Sequence, residues 1–146
     1  MGNICRSPTA EGVLRHKLNE AGLADIIVDS AGTSAYHVGA PPDHRSIKHA
    51  RRRGYDLSAL RARRVCEEDF ERFDLILAMD WDNFALLEEK CPAEHRSKLK
   101  RLTEFACRHD SPVVPDPYYS GADGFERVLD LIEDACDGLV AHLKLG

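Results

Sequence analysis

Apolar positions along this chain switch between helical and strand-like spacing. From Pro8 to about Ala21, residues Ala10, Val13, Leu14, Leu18 and Ala21 recur at the period of a helix with one buried face, and Gly22 supplies a C-terminal stop. Ile26-Ile27-Val28 is a short β-branched run of the kind a buried parallel strand presents. A Gly- and Pro-rich loop from Thr33 to Pro42 follows, and Asp43 is placed to cap a helix ending near Gly54. A short helix over Glu67 to Arg72 leads into a second strand, Leu75 to Met79, after which Asp80 caps a helix carrying Phe84, Leu86 and Leu87 and closing before Pro92. Leu99 to Leu102 reads as a third strand despite its charged residues. Asp123 with Glu126 resembles a capping box opening a long helix, whose stripe is Phe125, Val128, Leu129, Ile132, Ala135, Leu139, Val140 and Leu143.

Helices alternating with short apolar strands predict an α/β domain of three layers around a parallel sheet. The order nevertheless opens on a helix. Ligand loops of open α/β sheets hang between the C-terminal end of a strand and the next helix, so a further strand is expected upstream of Met1, making four strands in all.

The first residues carry the chemistry. Gly2-Asn3-Ile4-Cys5-Arg6-Ser7-Pro8 is a short turn feeding a helix, with Ser7 expected as N-cap and Pro8 at the first helical position. Backbone N–H groups of such a turn converge on one spot, where the helix dipole also favours negative charge. Arg6 adds a planar, permanently charged fork matched to phosphate oxygens. These residues define a phosphate cradle.

Gly2 to Gly12 closely resembles the active-site loop of the low-molecular-weight protein-tyrosine phosphatases, and the resemblance continues at Asp29-Ser30-Ala31-Gly32-Thr33, Gly39-Ala40-Pro41-Pro42-Asp43, Met79-Asp80 with Asn83, and Asp116-Pro117-Tyr118-Tyr119. It implies one phosphatase domain over residues 1–146, with a four-stranded parallel sheet whose first strand lies outside the chain. It also implies that the nucleophilic Cys stands directly before Met1, so that the chain as written lacks it and is inactive. In the complete protein the resemblance implies hydrolysis of phosphotyrosine through a cysteinyl-phosphate, with no metal or organic cofactor. The implied phosphate-binding residues are Gly2, Asn3, Ile4, Cys5, Arg6 and Ser7.

Further roles follow from the same resemblance. Asp116, flanked by Pro115 and Pro117, is the general acid that protonates the leaving phenol and then activates water. Asn3 ties the loop to Ser30, Ser7 hydrogen-bonds the thiolate, and Cys5 pairs oxidatively with the nucleophile. Tyr36, Tyr118 and Tyr119 form the aromatic rim around the substrate ring. The expected partner is a tyrosine-phosphorylated protein or an aryl phosphate. Two alternatives stay open: an arsenate reductase of similar fold, although Cys91 lacks a clear redox partner, and a non-catalytic oxyanion-binding module.

Composition narrows the setting. A chain of 146 residues with 43% hydrophobic content is long enough for one domain with a core. No apolar run approaches the ~20 residues of a membrane span and no signal pattern opens the chain, so a cytoplasmic protein without membrane contact is expected. The five cysteines are odd in number, scattered and not at metal-ligand spacing, and read as free thiols. A net charge of −5 argues against nucleic acid, yet Arg45, Lys48, Arg51, Arg52, Arg53, Arg61, Arg63 and Arg64 crowd one stretch. That stretch is either a solvated basic face or a rim attracting anionic phosphopeptides. The His residues, His37, His44 and His49 among them, read as ordinary surface residues.

Overall fold

The computed structural model of the chain describes residues 5–34, 37–118 and 120–145. Five α-helices and two short strands run in the order α1 (Arg6–Glu20), α2 (His44–Arg52), α3 (Glu67–Arg72), β1 (Ile76–Ala78), α4 (Trp81–Lys90), β2 (Leu99–Arg101) and α5 (Ala122–Leu145), with 3₁₀ turns at Ala93–Lys98 and Leu102–Phe105. β1 and β2 pair in parallel, with Ile76 opposite Leu99 and Ala78 opposite Arg101. A single parallel bridge joins Gly32 to Arg64.

Both faces of β1 are covered, because its side chains alternate between two apolar clusters. Leu75, Leu77 and Met79 face a core built with Val13, Leu129 and Ile132. Ile76 and Ala78 face a second cluster around Phe70, Leu87 and Leu99. Helices α1, α2 and α5 therefore form one outer layer and α3 and α4 the other, with the sheet between them. The three-layer α/β architecture is the one expected from the alternation of elements.

Several local expectations shift. Helix α1 starts at Arg6 with Cys5 as N-cap, so Ser7 lies inside the first turn instead of capping it. The first-turn amides of a helix have no intrahelical partner, so Pro8 is accommodated there without loss of a bond. Asp123 and Glu126 likewise lie within α5, which begins at Ala122. The Glu126 carboxylate turns to His49 on α2 and to Arg53, the C-cap of that helix. His49 is buried, not a surface residue, because that contact and a stacked Phe125 ring draw it into the α2–α5 seam. Arg53 extends the seam by pairing also with Asp130 and Glu133, and Tyr55 donates to Glu133 at 2.7 Å.

The sheet is the larger departure. Of the four strands expected, the described residues contain two that pair, and Ile26-Ile27-Val28 is not a strand. Strand structure is a pairing property, and this run has no pairing neighbour among the described residues: Ile27 is 70% exposed. The Ile26 N–H instead closes a turn on Leu23 O, and Arg15 donates to Val28 O at 2.6 Å. Ile26, Ile27 and Val28 line a cleft of about 1020 Å³ together with Leu75, Ile76 and Leu77. Protein interiors hold few voids larger than a water, for which about 10–15 Å³ suffices by a comparable measure, so this is no packing defect. It is an open slot alongside β1, which pairs only with β2 among the described residues.

Candidate active site

The slot ends at the start of α1, and Cys5, Arg6, Ser7, Ser30, Asp116 and Tyr118 line it together. Sequence reasoning drew these residues from three separate segments, and the fold gathers them around one opening. Gly2, Asn3, Ile4, Tyr36 and Tyr119 lie outside the described residues.

Arg6 is 4% exposed although it carries a permanent charge, and two elements hold it. Its Nη1 donates to Asp80 Oδ2 at 2.6 Å and to Val114 O at 2.8 Å. Nε and Nη2 have no partner among the described residues, which leaves one edge of the guanidinium available for a two-point contact with an oxyanion. Asp80 serves two ends at once: Oδ1 accepts from the Asn83 N–H at 2.8 Å and caps α4, while Oδ2 holds Arg6. Burial works to raise the Asp80 pKa, but the bonds from Arg6 and the Asn83 amide outweigh it and keep the carboxyl below its ordinary value.

Ser30 meets a partner that sequence reasoning missed. Its Oγ donates to Glu11 Oε1 at 2.6 Å, and Arg15 Nη2 donates to Glu11 Oε2 at 2.6 Å. Glu11 is buried, on the inward face of α1 beside Ala10 and Leu14. A legible signal existed in the Glu11 to Arg15 spacing of one helical turn, combined with a carboxylate placed among apolar stripe positions. The contact expected between Asn3 and Ser30 involves a residue outside the described set.

Cys5 is buried, and burial first, then the charge of Asp43, push its thiol up to about 11 against a hydrogen bond with Ser46. At neutral pH it is protonated and a poor nucleophile. All five cysteines are free thiols, three of them buried. Asp116 is exposed at the rim, where its Oδ1 accepts from the Tyr118 N–H at 3.0 Å. The His37 ring lies 6.4 Å from that of Tyr118.

Part of the basic stretch is paired with carboxylates. Arg45 pairs with Asp43, Arg53 with three carboxylates of α5, and Arg63 with Asp29 and Asp69. No group of three or more His, Cys, Asp or Glu residues that could hold a metal ion occurs among the described residues. Nor is any helix among them long and apolar enough to cross a membrane.

Comparison with known proteins gives the family of the chain. The profile of the low molecular weight phosphotyrosine protein phosphatases matches residues 1–145. A chain from Synechocystis sp. is 48% identical over 145 residues, covering 98% of this chain and 92% of that one. The low molecular weight protein-tyrosine-phosphatase YfkJ of Bacillus subtilis is 39% identical over 145 residues, covering 99% of this chain and 92% of its own. A crystal structure of a protein tyrosine phosphatase from Entamoeba histolytica superposes with a TM-score of 0.97 at 42% identity, covering 100% of this chain and 94% of that chain. The α/β fold thus sits in a sequence of matching descent. The chain belongs to the low molecular weight phosphotyrosine protein phosphatase family.

Proposed function

We propose that the protein, as one domain over residues 1–146, supplies the phosphate cradle and the general acid for hydrolysis of phosphotyrosine or another aryl phosphate through a cysteinyl-phosphate. The observation that carries this reading is the shared opening: Arg6, with a guanidinium edge that has no partner among the described residues, faces the same cleft as Asp116. In the first step a thiolate attacks phosphorus, the P–O bond to the phenol breaks, and Asp116 gives its proton to the leaving oxygen. In the second, the Asp116 carboxylate takes a proton from water, which attacks phosphorus and releases phosphate and the thiolate. Arg6 and the amides at the start of α1 stabilise the phosphoryl oxygens in both steps. Five unpaired thiols support a reducing, cytoplasmic setting.

The thiolate is not Cys5, which is protonated and directly precedes Arg6. In this reading an extended apolar strand fills the slot between Ile26–Val28 and β1, and the nucleophile ends it, one residue ahead of Met1.

The test compares protein beginning at Met1 with a form extended upstream by an apolar strand ending in Cys. The extended form is expected to hydrolyse p-nitrophenyl phosphate without added metal and to lose that activity on alkylation of the added thiol. Activity that survives alkylation, or equal activity in the shorter form, refutes the mechanism. Thiol-dependent turnover of arsenate in place of aryl phosphates would move the chain to the arsenate reductase alternative.

A further inference from the structure

Two residues away from the cap of α2, a cation reaches across to the acid loop. Asp43 caps α2 by accepting from the Arg45 N–H at 2.9 Å, and its two oxygens also take Arg45 Nε at 3.0 Å and Nη2 at 2.9 Å. A bidentate pair of this kind fixes the plane of the guanidinium as well as its place. Burial acts to raise the Asp43 pKa, but the side-chain and backbone bonds of Arg45 bring it below the ordinary value, so the pair is ionised at neutral pH. So held, Arg45 lies over two rings, with Cζ 4.8 Å from the centroid of Phe125 on α5 and 5.4 Å from that of Tyr118. Both distances lie within the range of cation–π attraction.

Tyr118 in turn governs Asp116. Its backbone N–H donates to Asp116 Oδ1 at 3.0 Å. Neither neighbour of Asp116 can make such a bond, since Pro115 and Pro117 carry no N–H. The carboxyl is exposed, so no packing fixes it either. Its orientation therefore depends on where the Tyr118 backbone sits, and the Tyr118 ring is gripped by Arg45.

We propose that Arg45 is a positioning residue for the general acid, acting through the ring of Tyr118. A continuous chain of contacts leads from Asp43 to Arg45, to Tyr118 and to Asp116, anchoring a rim carboxyl to the rigid start of α2. Arg45 does not touch the reacting atoms. Its loss releases the acid loop and leaves the phosphate cradle around Arg6 intact.

This inference rests on the phosphatase reading, and its test uses the extended form carrying the nucleophile. The readout is kcat/KM for phenyl phosphate, whose leaving group needs a proton, against p-nitrophenyl phosphate, whose leaving group does not, together with inhibition by inorganic phosphate. Asp116→Asn provides the reference by lowering kcat/KM for phenyl phosphate far more than for p-nitrophenyl phosphate. Arg45→Ala is expected to show the same selectivity at smaller size, about tenfold for phenyl phosphate, a part of the roughly 10²–10⁴-fold that a positioned acid contributes. Inhibition by phosphate should be unchanged. Arg45→Lys keeps the cation over the rings without the fork to Asp43, and should fall between wild type and Arg45→Ala; it also serves if Arg45→Ala fails to fold. Equal losses for the two leaving groups, or a parallel loss of phosphate affinity, overturn the role of Arg45. Absence of selectivity in Asp116→Asn itself overturns the acid assignment and this inference with it.

Discussion

Arg6 and Asp80, 74 positions apart in sequence, meet at 2.6 Å and fix one side of a buried guanidinium. With the Val114 carbonyl also on Nη1, the start of α1, the cap of α4 and the strap leading to Asp116 are tied to one guanidinium. The strap is held from a second side, since the Val114 N–H donates to Met79 O at 2.7 Å.

Arg6→Lys should impair both oxyanion binding and turnover although the charge is kept. A lysine ammonium has three donors on a point charge, and cannot hold Asp80 and Val114 while presenting a flat two-point edge to phosphate. In the extended form, kcat/KM should fall by roughly 10²–10³-fold, the cost of a lost transition-state donor, and inhibition by phosphate should weaken with it. Normal kinetics in this variant would rule out the geometry described for Arg6.

Asp80→Asn separates the two duties of that carboxylate. Asn caps helices as well as Asp does, so α4 and the thermal stability that depends on it should change little. The ion pair to Arg6 is lost, and phosphate inhibition and kcat/KM should both drop by about tenfold, as when a charged hydrogen bond of ~1.5 kcal/mol is removed. A fall in stability with unchanged kinetics would show that the cap is the residue's whole role.

Asp134 on α5 predicts a pH dependence of stability. The residue is 1% exposed, and its carboxylate accepts from the backbone N–H groups of Cys107, Arg108 and His109 and from the His109 ring. Burial alone would raise its pKa; the backbone bond from Cys107, the His109 ring and the remaining amides reverse the sign and hold it well below the ordinary carboxylate range. A folded-state pKa depressed in this way gives stability that is complete above the unfolded value of about 3.9 and is lost as the pH falls through the folded value. Urea unfolding should show Asp134→Asn less stable than wild type at pH 7, with the gap closing below about pH 4. Asp134→Ala, which leaves buried amides without an acceptor, should cost about 3–5 kcal/mol. A gap that stays constant with pH would contradict an ionised Asp134.

Gly138 predicts a steric effect. A Cβ placed there would lie 1.7 Å from Phe105 O, a backbone atom that cannot rotate away. Gly138→Ala should therefore lower stability by about 1–3 kcal/mol through overpacking, despite the better helix propensity of Ala. A gain in thermal midpoint would mean that the strap at Phe105 does not pack closely on α5.

The amino-acid sequence by itself determined what depends on near neighbours. Asp43 and Asp80 cap the helices they precede because a carboxylate two or three residues ahead of an amide needs no other part of the chain to reach it. The stripe of α5 and the alternation along β1 gave the buried faces for the same reason, since period alone decides which side chains share a side. Tertiary structure decided the long-range pairings. Glu126 was spaced to cap its own helix but found His49 on α2 and Arg53 at its C-cap, two partners that outweigh one amide. Arg6 needed Asp80, and Ser30 needed Glu11, neither set by local spacing between the partners. Ile26-Ile27-Val28 has every local mark of a strand, yet a strand exists only against a neighbour, and beside this one the fold leaves a slot.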